Sequence, residues 1–245
     1  MPPKHAVHQL FEQRLSRSTK AFKARGGSVI RCPQCRIDQQ YCICALCPQA
    51  DSQAGFVLLY YDDEVLKPSN TGKLIADIFV DTFAFIWQRT EVEQALLDLL
   101  ADDSWYPIVV FPQAYVEPNR PTFIDHPVWP SDRRPLFILL DGSWREAKKM
   151  FRKSPYLDRF PVLSMTPERV SQYLVRKATQ DHQLATAEVA AMVLSAMQES
   201  YNGKLLSTWF DLFSYRYQQG VKRENVGDPT SQERLSELVQ KGQIR

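Results

Sequence analysis

The stretch Leu136-Phe-Ile-Leu-Leu-Asp-Gly-Ser-Trp-Arg-Glu146 carries the clearest structural signal in the chain. Five consecutive apolar residues followed by an acid, a glycine and a Ser143/Glu146 capping box read as a buried strand that turns directly into a helix. A strand apolar on both faces belongs to a parallel sheet covered by helices, because a sheet with one wet face alternates instead. In such sheets ligands sit beyond the carboxyl ends of the strands, which puts Asp141 where chemistry is expected.

The neighbouring sequence repeats this pattern. Phe56 to Tyr61, Thr82 to Trp87, Pro107 to Phe111 and Pro161 to Met165 read as further strands. Between them lie helical stripes. Leu74, Ile75, Ile78 and Phe79 share a face after Asn70-Thr-Gly72. Thr90-Glu-Val-Glu93 reads as a capping box opening a helix with Val92, Ala95, Leu96, Leu99 and Leu100 on one side. Thr186 opens another with Val189, Met192, Val193, Ala196 and Met197, and Leu205, Leu206, Trp209, Phe210 and Phe213 form a core-packing stripe. Gln113 to Pro135 reads as a long Pro-rich excursion, and residues after Gly220 as a polar helix or loose tail. The expectation is an α/β fold with a mostly parallel sheet, divided into a Cys-rich segment (1–54), a main domain (55–220) and a polar tail (221–245).

The length of 245 residues and the 44% hydrophobic content suit one ordinary core with a small module attached. The apolar runs fall far short of the roughly 20 residues of a bilayer span, and the N-terminal stretch has no apolar export core, so a cytosolic location is the default. In that reducing setting the five cysteines, Cys32, Cys35, Cys42, Cys44 and Cys47, call for an explanation other than disulfides. Soft ligands clustered so tightly read as a tetrahedral zinc knuckle, with Cys32, Cys35, Cys42 and Cys44 the first choice. Cys47 could replace Cys44, and an iron–sulfur cluster is the competing chemistry.

A net charge of +2 hides an uneven distribution. Positive charge is concentrated from Lys4 to Arg31 and again from Arg145 to Lys177, and the segment from Asp51 to Asp103 between them is acidic. Two basic stretches flanking an acidic one suit a long phosphate-bearing ligand, although solvated helix faces would look the same. No G-x-G-x-x-G follows a strand, and no P-loop, H-E-x-x-H or G-x-S-x-G occurs, which disfavours the corresponding nucleotide, NTPase, metalloprotease and serine-hydrolase chemistries.

In order along the chain stand Cys32-x2-Cys35-x6-Cys42-x-Cys44, Pro68-Ser-Asn-Thr-Gly72, Asp141-Gly-Ser-Trp144 and Thr186-Ala-Glu188. This set resembles the DTW-domain family, within it the bacterial tRNA-uridine aminocarboxypropyltransferases, over nearly the whole chain. Ser143 stands where the family often has threonine, and Tyr61 and Lys67 stand where many relatives have histidine and arginine. The resemblance implies a SPOUT-like, knotted domain that binds S-adenosylmethionine and acts on tRNA, transferring a 3-amino-3-carboxypropyl group to N3 of uridine 47; a monomer is the favoured expectation, with the oligomeric state left open by the sequence. It implies that Asn70, Thr71, Gly72, Phe111, Pro112 and Leu140 wrap the donor. Thr186 and Glu188 would hold its amino-acid arm or fix Asp141. Asp141 would take the imide proton, with Ser143 assisting and Trp144 packing on the donor. Arg17, Lys20, Arg25, Arg31, Lys148, Lys149, Arg152 and Lys153 would contact tRNA. Two rivals are a SPOUT-type RNA methyltransferase and a non-catalytic zinc-dependent RNA-binding module.

Overall fold

A computed structural model describes residues 4–19, 29–166, 184–221 and 224–242. Its centre is a six-stranded sheet in which every pairing is parallel. The strands are β1 (Gly55–Tyr61), β2 (Thr82–Trp87), β3 (Trp105–Val110), β4 (Thr122–Ile124), β5 (Arg134–Asp141) and β6 (Val162–Ser164), in the order β2-β1-β5-β3-β6-β4. β5, the strand from which the reading began, lies between β1 and β3, with Leu58 opposite Leu139 and Tyr60 opposite Asp141.

Because side chains alternate across a strand, the apolar runs feed two cores. Phe56, Leu58, Tyr60, Phe137 and Leu139 face one side, against helices α2 (Lys73–Ile78), α5 (Thr186–Ala196) and α6 (Ser200–Val221). Val57, Leu59, Leu136 and Ile138 face the other, against α3 (Gln94–Ala101) and α4 (Trp144–Arg152). All nine of these strand residues are buried, and burying each such side chain stabilises the fold by roughly 1.5–3 kcal/mol before chain entropy is counted. The N-terminal helix α1 (Ala6–Ser16) rests on the first core through Val7 and Leu10. A C-terminal helix, α7 (Ser231–Gly242), packs on α6 and buries Leu235, so residues 231–242 are anchored to the domain.

Three details differ from the sequence reading. The Thr90/Glu93 capping box does not form: Glu93 is the N-cap, its side chain makes no capping bond, and the helix starts at Gln94. Residues 88–93 are spent carrying the chain from β2 to α3, which leaves Ala95 exposed and only Leu96 and Leu100 fully buried. Phe79 lies just past α2 in extended backbone yet stays buried against Phe56, ring centroids 5.9 Å apart. The Pro-rich excursion contains β4, a short edge strand beside β6. A three-residue strand between prolines gives too little periodicity to be read from sequence.

Candidate active site and metal centre

β5 ends on Asp141, and α4 begins three residues later. The Glu146 carboxylate accepts the Ser143 backbone N–H at 2.8 Å and the Ser143 hydroxyl at 2.6 Å, which fixes the turn between them. The Ser143 hydroxyl is thus committed to the helix cap. Across the strand pair, the buried Tyr60 hydroxyl donates to Asn70 Oδ1 at 3.4 Å, and Asn70 Nδ2 donates to Asp141 Oδ1 at 3.0 Å. Gly72 closes this arrangement. A Cβ on it would stand 2.5 Å from both Asp141 Oδ2 and the Tyr60 hydroxyl, so only glycine lets the loop pass. The Thr71 hydroxyl accepts the Ala187 N–H at 3.4 Å, tying the same loop to α5.

Asp141 is 3% exposed, and its Oδ2 has no hydrogen-bond partner among the described residues. Burial pushes its carboxyl up to about 7, and Glu64 adds to the shift. The Asn70 amide, the Thr186 hydroxyl and Lys67 pull in the opposite direction. A carboxyl poised there exchanges a proton near neutral pH, as a general acid or base must.

Beside Asp141, at the carboxyl ends of β3, β5 and β6, opens a cleft of about 530 Å³. Phe111, Pro112, Leu140, Trp144, Thr186 and Met192 are among its walls. That is the size and mostly apolar lining of a small-molecule site, with few polar groups to set orientation. Phe111 stacks on Phe151 at 4.2 Å and on Trp144 at 5.5 Å, so a row of near-parallel rings runs from the core to the half-open Trp144. Glu188 is buried and accepts the Ala185 N–H at 2.8 Å, a carboxylate at the start of α5.

The sulfurs of Cys32, Cys35, Cys42 and Cys44 all lie within 4.8 Å of one another. Three of the separations are 3.6, 3.6 and 3.8 Å, against the roughly 3.8 Å edge of a tetrahedron built on Zn–S bonds of about 2.3 Å. The knuckle closes because Arg36 takes a left-handed backbone conformation, φ 60°, and donates its N–H to the Cys32 carbonyl at 3.0 Å. Hydrogen bonding with Cys44 pulls Cys35 down to about 5, and the same pairing pushes Cys44 up. Such crowding lets the metal-free cluster hold little negative charge; a divalent cation at its centre removes that limit. Cys47 stands apart. Its Sγ donates to the Asp77 carbonyl at 3.3 Å, and burial raises its thiol to about 12.

The basic residues separate into groups. Lys148, Lys149 and Arg152 lie on α4, directly after the Asp141 turn, and Lys153 is the C-cap of that helix. Arg17 is exposed at the end of α1, one turn past Arg14, whose ion pairs with Asp62 and Asp63 hold that end near the carboxyl end of β1. Arg31 donates to the Arg36 carbonyl and lies 5.5 Å from the Tyr217 ring, which fastens the knuckle to α6. Lys20 and Arg25 lie outside the described residues. The sequence reading missed Tyr60, although pairing the ends of β1 and β5 in register would have placed it beside Asp141.

No helix among the described residues is long and apolar enough to cross a membrane. A family profile described as the DTW domain matches residues 29–218. Three curated relatives each carry the name tRNA-uridine aminocarboxypropyltransferase 2. The Mus musculus protein is 25% identical over 198 residues, covering 78% of this chain and 65% of its own length. The Macaca fascicularis protein is 27% identical over 117 residues (47% and 38%), and the Drosophila melanogaster protein 29% identical over 75 residues (31% and 28%). The chain therefore spans less than two thirds of the relatives it matches. No solved structure matches it.

Proposed function

We propose, from the premise that this chain belongs to the DTW-domain family, that it is a tRNA-uridine aminocarboxypropyltransferase using S-adenosylmethionine as donor. The observation that carries the reading is Asp141: a buried carboxyl with one unpartnered oxygen, titrating near neutrality beside a cleft of small-molecule size.

The chemistry of the cleft fits such a donor, with aromatic and aliphatic walls for an adenosyl group and Thr186 at its edge for the polar arm. Phe111, Pro112, Leu140 and Trp144 would hold the adenosyl moiety. Thr71 and Thr186 would fix the loop and helix that close on the arm, and Glu188 would keep the start of α5 in place. Bound there, the donor supplies an electrophilic γ-carbon on its sulfonium; N3 of uridine forms the new bond, and the carbon–sulfur bond breaks with its electrons leaving on the thioether. Asp141 Oδ2 would take the imide proton from N3. The Asn70 amide on Oδ1 and the absence of a side chain at Gly72 hold the carboxylate ready for that transfer. Alignment of the γ-carbon, not the methyl, with the nitrogen would select the product, and the strand-end loops would have to impose it. Ser143, capped by Glu146, fixes the start of α4.

Zinc suits the four thiolates of Cys32, Cys35, Cys42 and Cys44; a closed four-sulfur site has a structural role and leaves no position for substrate. The resemblance also implies a SPOUT-like knotted fold and uridine 47 as the target.

The test is incubation of the protein with unmodified tRNA and S-adenosylmethionine labelled separately in the methyl group and the carboxyl carbon, followed by nucleoside mass spectrometry. Carboxyl label in a uridine is the expected result. Methyl label would replace the reaction with methylation, and absence of both labels with intact tRNA binding would leave a binding module.

A further inference from the structure

α4 carries two neighbouring lysines, about 100° apart around the helix, each directed to a different pair of aromatic rings. Lys149 donates to the Tyr61 hydroxyl at 3.0 Å, and its Nζ lies 5.3 Å from the Tyr61 ring and 5.7 Å from Trp87. Tyr61 and Trp87 stack at 5.6 Å, and Trp87 is anchored by its indole N–H to Ser154 Oγ at 2.8 Å. On the other side, Lys148 Nζ lies 5.6 Å from Trp144 and 5.7 Å from Tyr115, whose ring meets Trp144 edge-on. Gly142, just past the end of β5, lies against the first group, where an added Cβ would stand 3.1 Å from Tyr61 Cβ.

Tyr115 is 41% and Trp144 36% exposed, Tyr61 is half-buried and Lys149 is exposed. Packing alone does not account for rings left open in this way beside a basic helix. The acids around Tyr61 are already engaged: Asp62 and Asp63, next in the chain, pair with Arg14, Glu64 pairs with Lys67, and Glu146, across Gly142, accepts from Ser143. A cation held beside an exposed aromatic ring matches the repeating unit of an RNA strand, where the ring takes a base face and the cation a phosphate.

We propose that Tyr61 with Lys149, and Tyr115 with Lys148, seat the RNA nucleotides that flank the reacting base, one on each side of Asp141. This rests on the transferase reading for the identity of the reacting base, but the contacts themselves are a property of RNA binding and need no donor. The aromatic bodies supply stacking surface, and the lysines arrive already oriented by the rings they approach, so less side-chain freedom is lost when a phosphate binds.

The experiment measures binding of an unmodified tRNA transcript without donor, as a function of salt, for the full chain and for Tyr61→Ala, Tyr61→Phe, Tyr115→Ala, Lys148→Ala and Lys149→Ala. Each ring-to-alanine change should weaken binding by about ten- to a hundredfold, and Tyr61→Phe should bind within a few-fold of the parent. Each lysine change should lower the slope of log affinity on log salt by about one. Donor affinity, measured by calorimetry, should stay the same in Tyr61→Ala and Lys149→Ala, which also shows that those variants are folded. Unchanged tRNA affinity and salt slope in folded Tyr61→Ala and Lys149→Ala would overturn the proposal while leaving the transferase reading intact. A parent that binds tRNA through these residues but transfers no label would overturn the transferase reading and leave the proposal standing. A parent that binds no tRNA refutes the proposal.

Discussion

Replacing Asp141 with asparagine should stabilise the protein while abolishing its chemistry, and the size of the effect should depend on pH in a prescribed way. The carboxyl titrates at about 7 in the folded state against a reference of 3.8, so ionising it in place costs about 4 kcal/mol relative to the unfolded chain. An acid with a raised folded pKa leaves the native state unpenalised below about pH 4. The penalty grows from pH 4 to 7 as the unfolded chain ionises first, and it stops growing above 7. Asparagine carries no such penalty. Its oxygen can keep the Asn70 contact, and its amide can face the Tyr60 and Thr186 hydroxyls. Allowing half of the electrostatic gain to be lost to imperfect hydrogen bonding leaves about 2 kcal/mol at pH 8, a rise of roughly 4–8 °C in Tm for a chain of this length. Thermal unfolding of both proteins from pH 5 to 8 measures this: the gap should widen with pH up to about 7 and then hold constant. Turnover should fall at least a hundredfold, with donor binding preserved. A gap independent of pH, or an asparagine variant less stable at pH 8, would show that the carboxyl is not held neutral by its burial, and the argument for its poise would fail.

The same titration predicts that kcat/KM for transfer rises with pH through about 7 and levels off above it, since only the ionised Asp141 accepts a proton; a flat profile from pH 5.5 to 8 would exclude it as the base. Elemental analysis should find about one zinc per chain, lost in Cys32→Ser and retained in Cys47→Ser, whereas iron with a visible absorption band would favour a cluster. Gly72→Ala should cost roughly 1–3 kcal/mol by overpacking and more than tenfold in turnover, because the new methyl lands on Asp141 and Tyr60; parent-like activity would mean that the loop yields freely. Chelating the metal should speed hydrogen exchange at the Leu74 and Ile75 amides, which bond to Thr71 and Gly72, and unchanged exchange there would sever the knuckle from the loop.

The parts of this fold legible in the sequence were those governed by one dominant force. Phe56 to Tyr61 and Leu136 to Leu140 are apolar on both faces because both faces are covered, and no other environment suits such runs in a chain of this composition. The four metal-site sulfurs were legible as a group because soft ligands so closely spaced have few other uses, but only the fold separated Cys44 from Cys47. At Thr90 local capping preference competed with the route the chain must take between β2 and α3, and the route won. The surroundings of Asp141 were less legible than its position. A strand-end acid followed by a capped helix is visible locally, but Tyr60 and Gly72 join it through sheet register and loop passage, which couple residues far apart in sequence. The partnered rings beside Lys148 and Lys149 were hidden for the same reason, since Tyr61, Trp87 and Tyr115 lie on three different segments.

The four-cysteine knuckle and the loop that follows β1 are strapped to each other by two buried basic side chains, one from each segment, so a metal in the knuckle would bear on the candidate active site through them. Arg36, inside the knuckle, donates to the Val65 carbonyl in the loop that follows β1, at 2.6 Å. Lys73, at the start of α2, reaches back to donate to the Cys35 carbonyl and, at 3.4 Å, to the Pro68 carbonyl. Burying these cations is costly; Lys73 is fully buried, and its ammonium is lowered to about 7, first by that burial and then by Arg36. The three carbonyls and the Phe11 and Phe213 rings, which Arg36 and Lys73 respectively approach, offset part of that cost, and the Cys35 carbonyl among them lies within the knuckle. The knuckle segment itself buries few apolar side chains, chiefly Ile37 and Ile43 beside Cys32 and Cys35, and these join the main core of the domain. On the proposed reading, metal binding would order the knuckle, which would hold the Cys35 carbonyl for Lys73 and Arg36 for the Val65 carbonyl, and these two bonds would fix residues 65–73. Asn70 and Gly72 belong to that segment, and they are the residues that hold the Asp141 carboxyl.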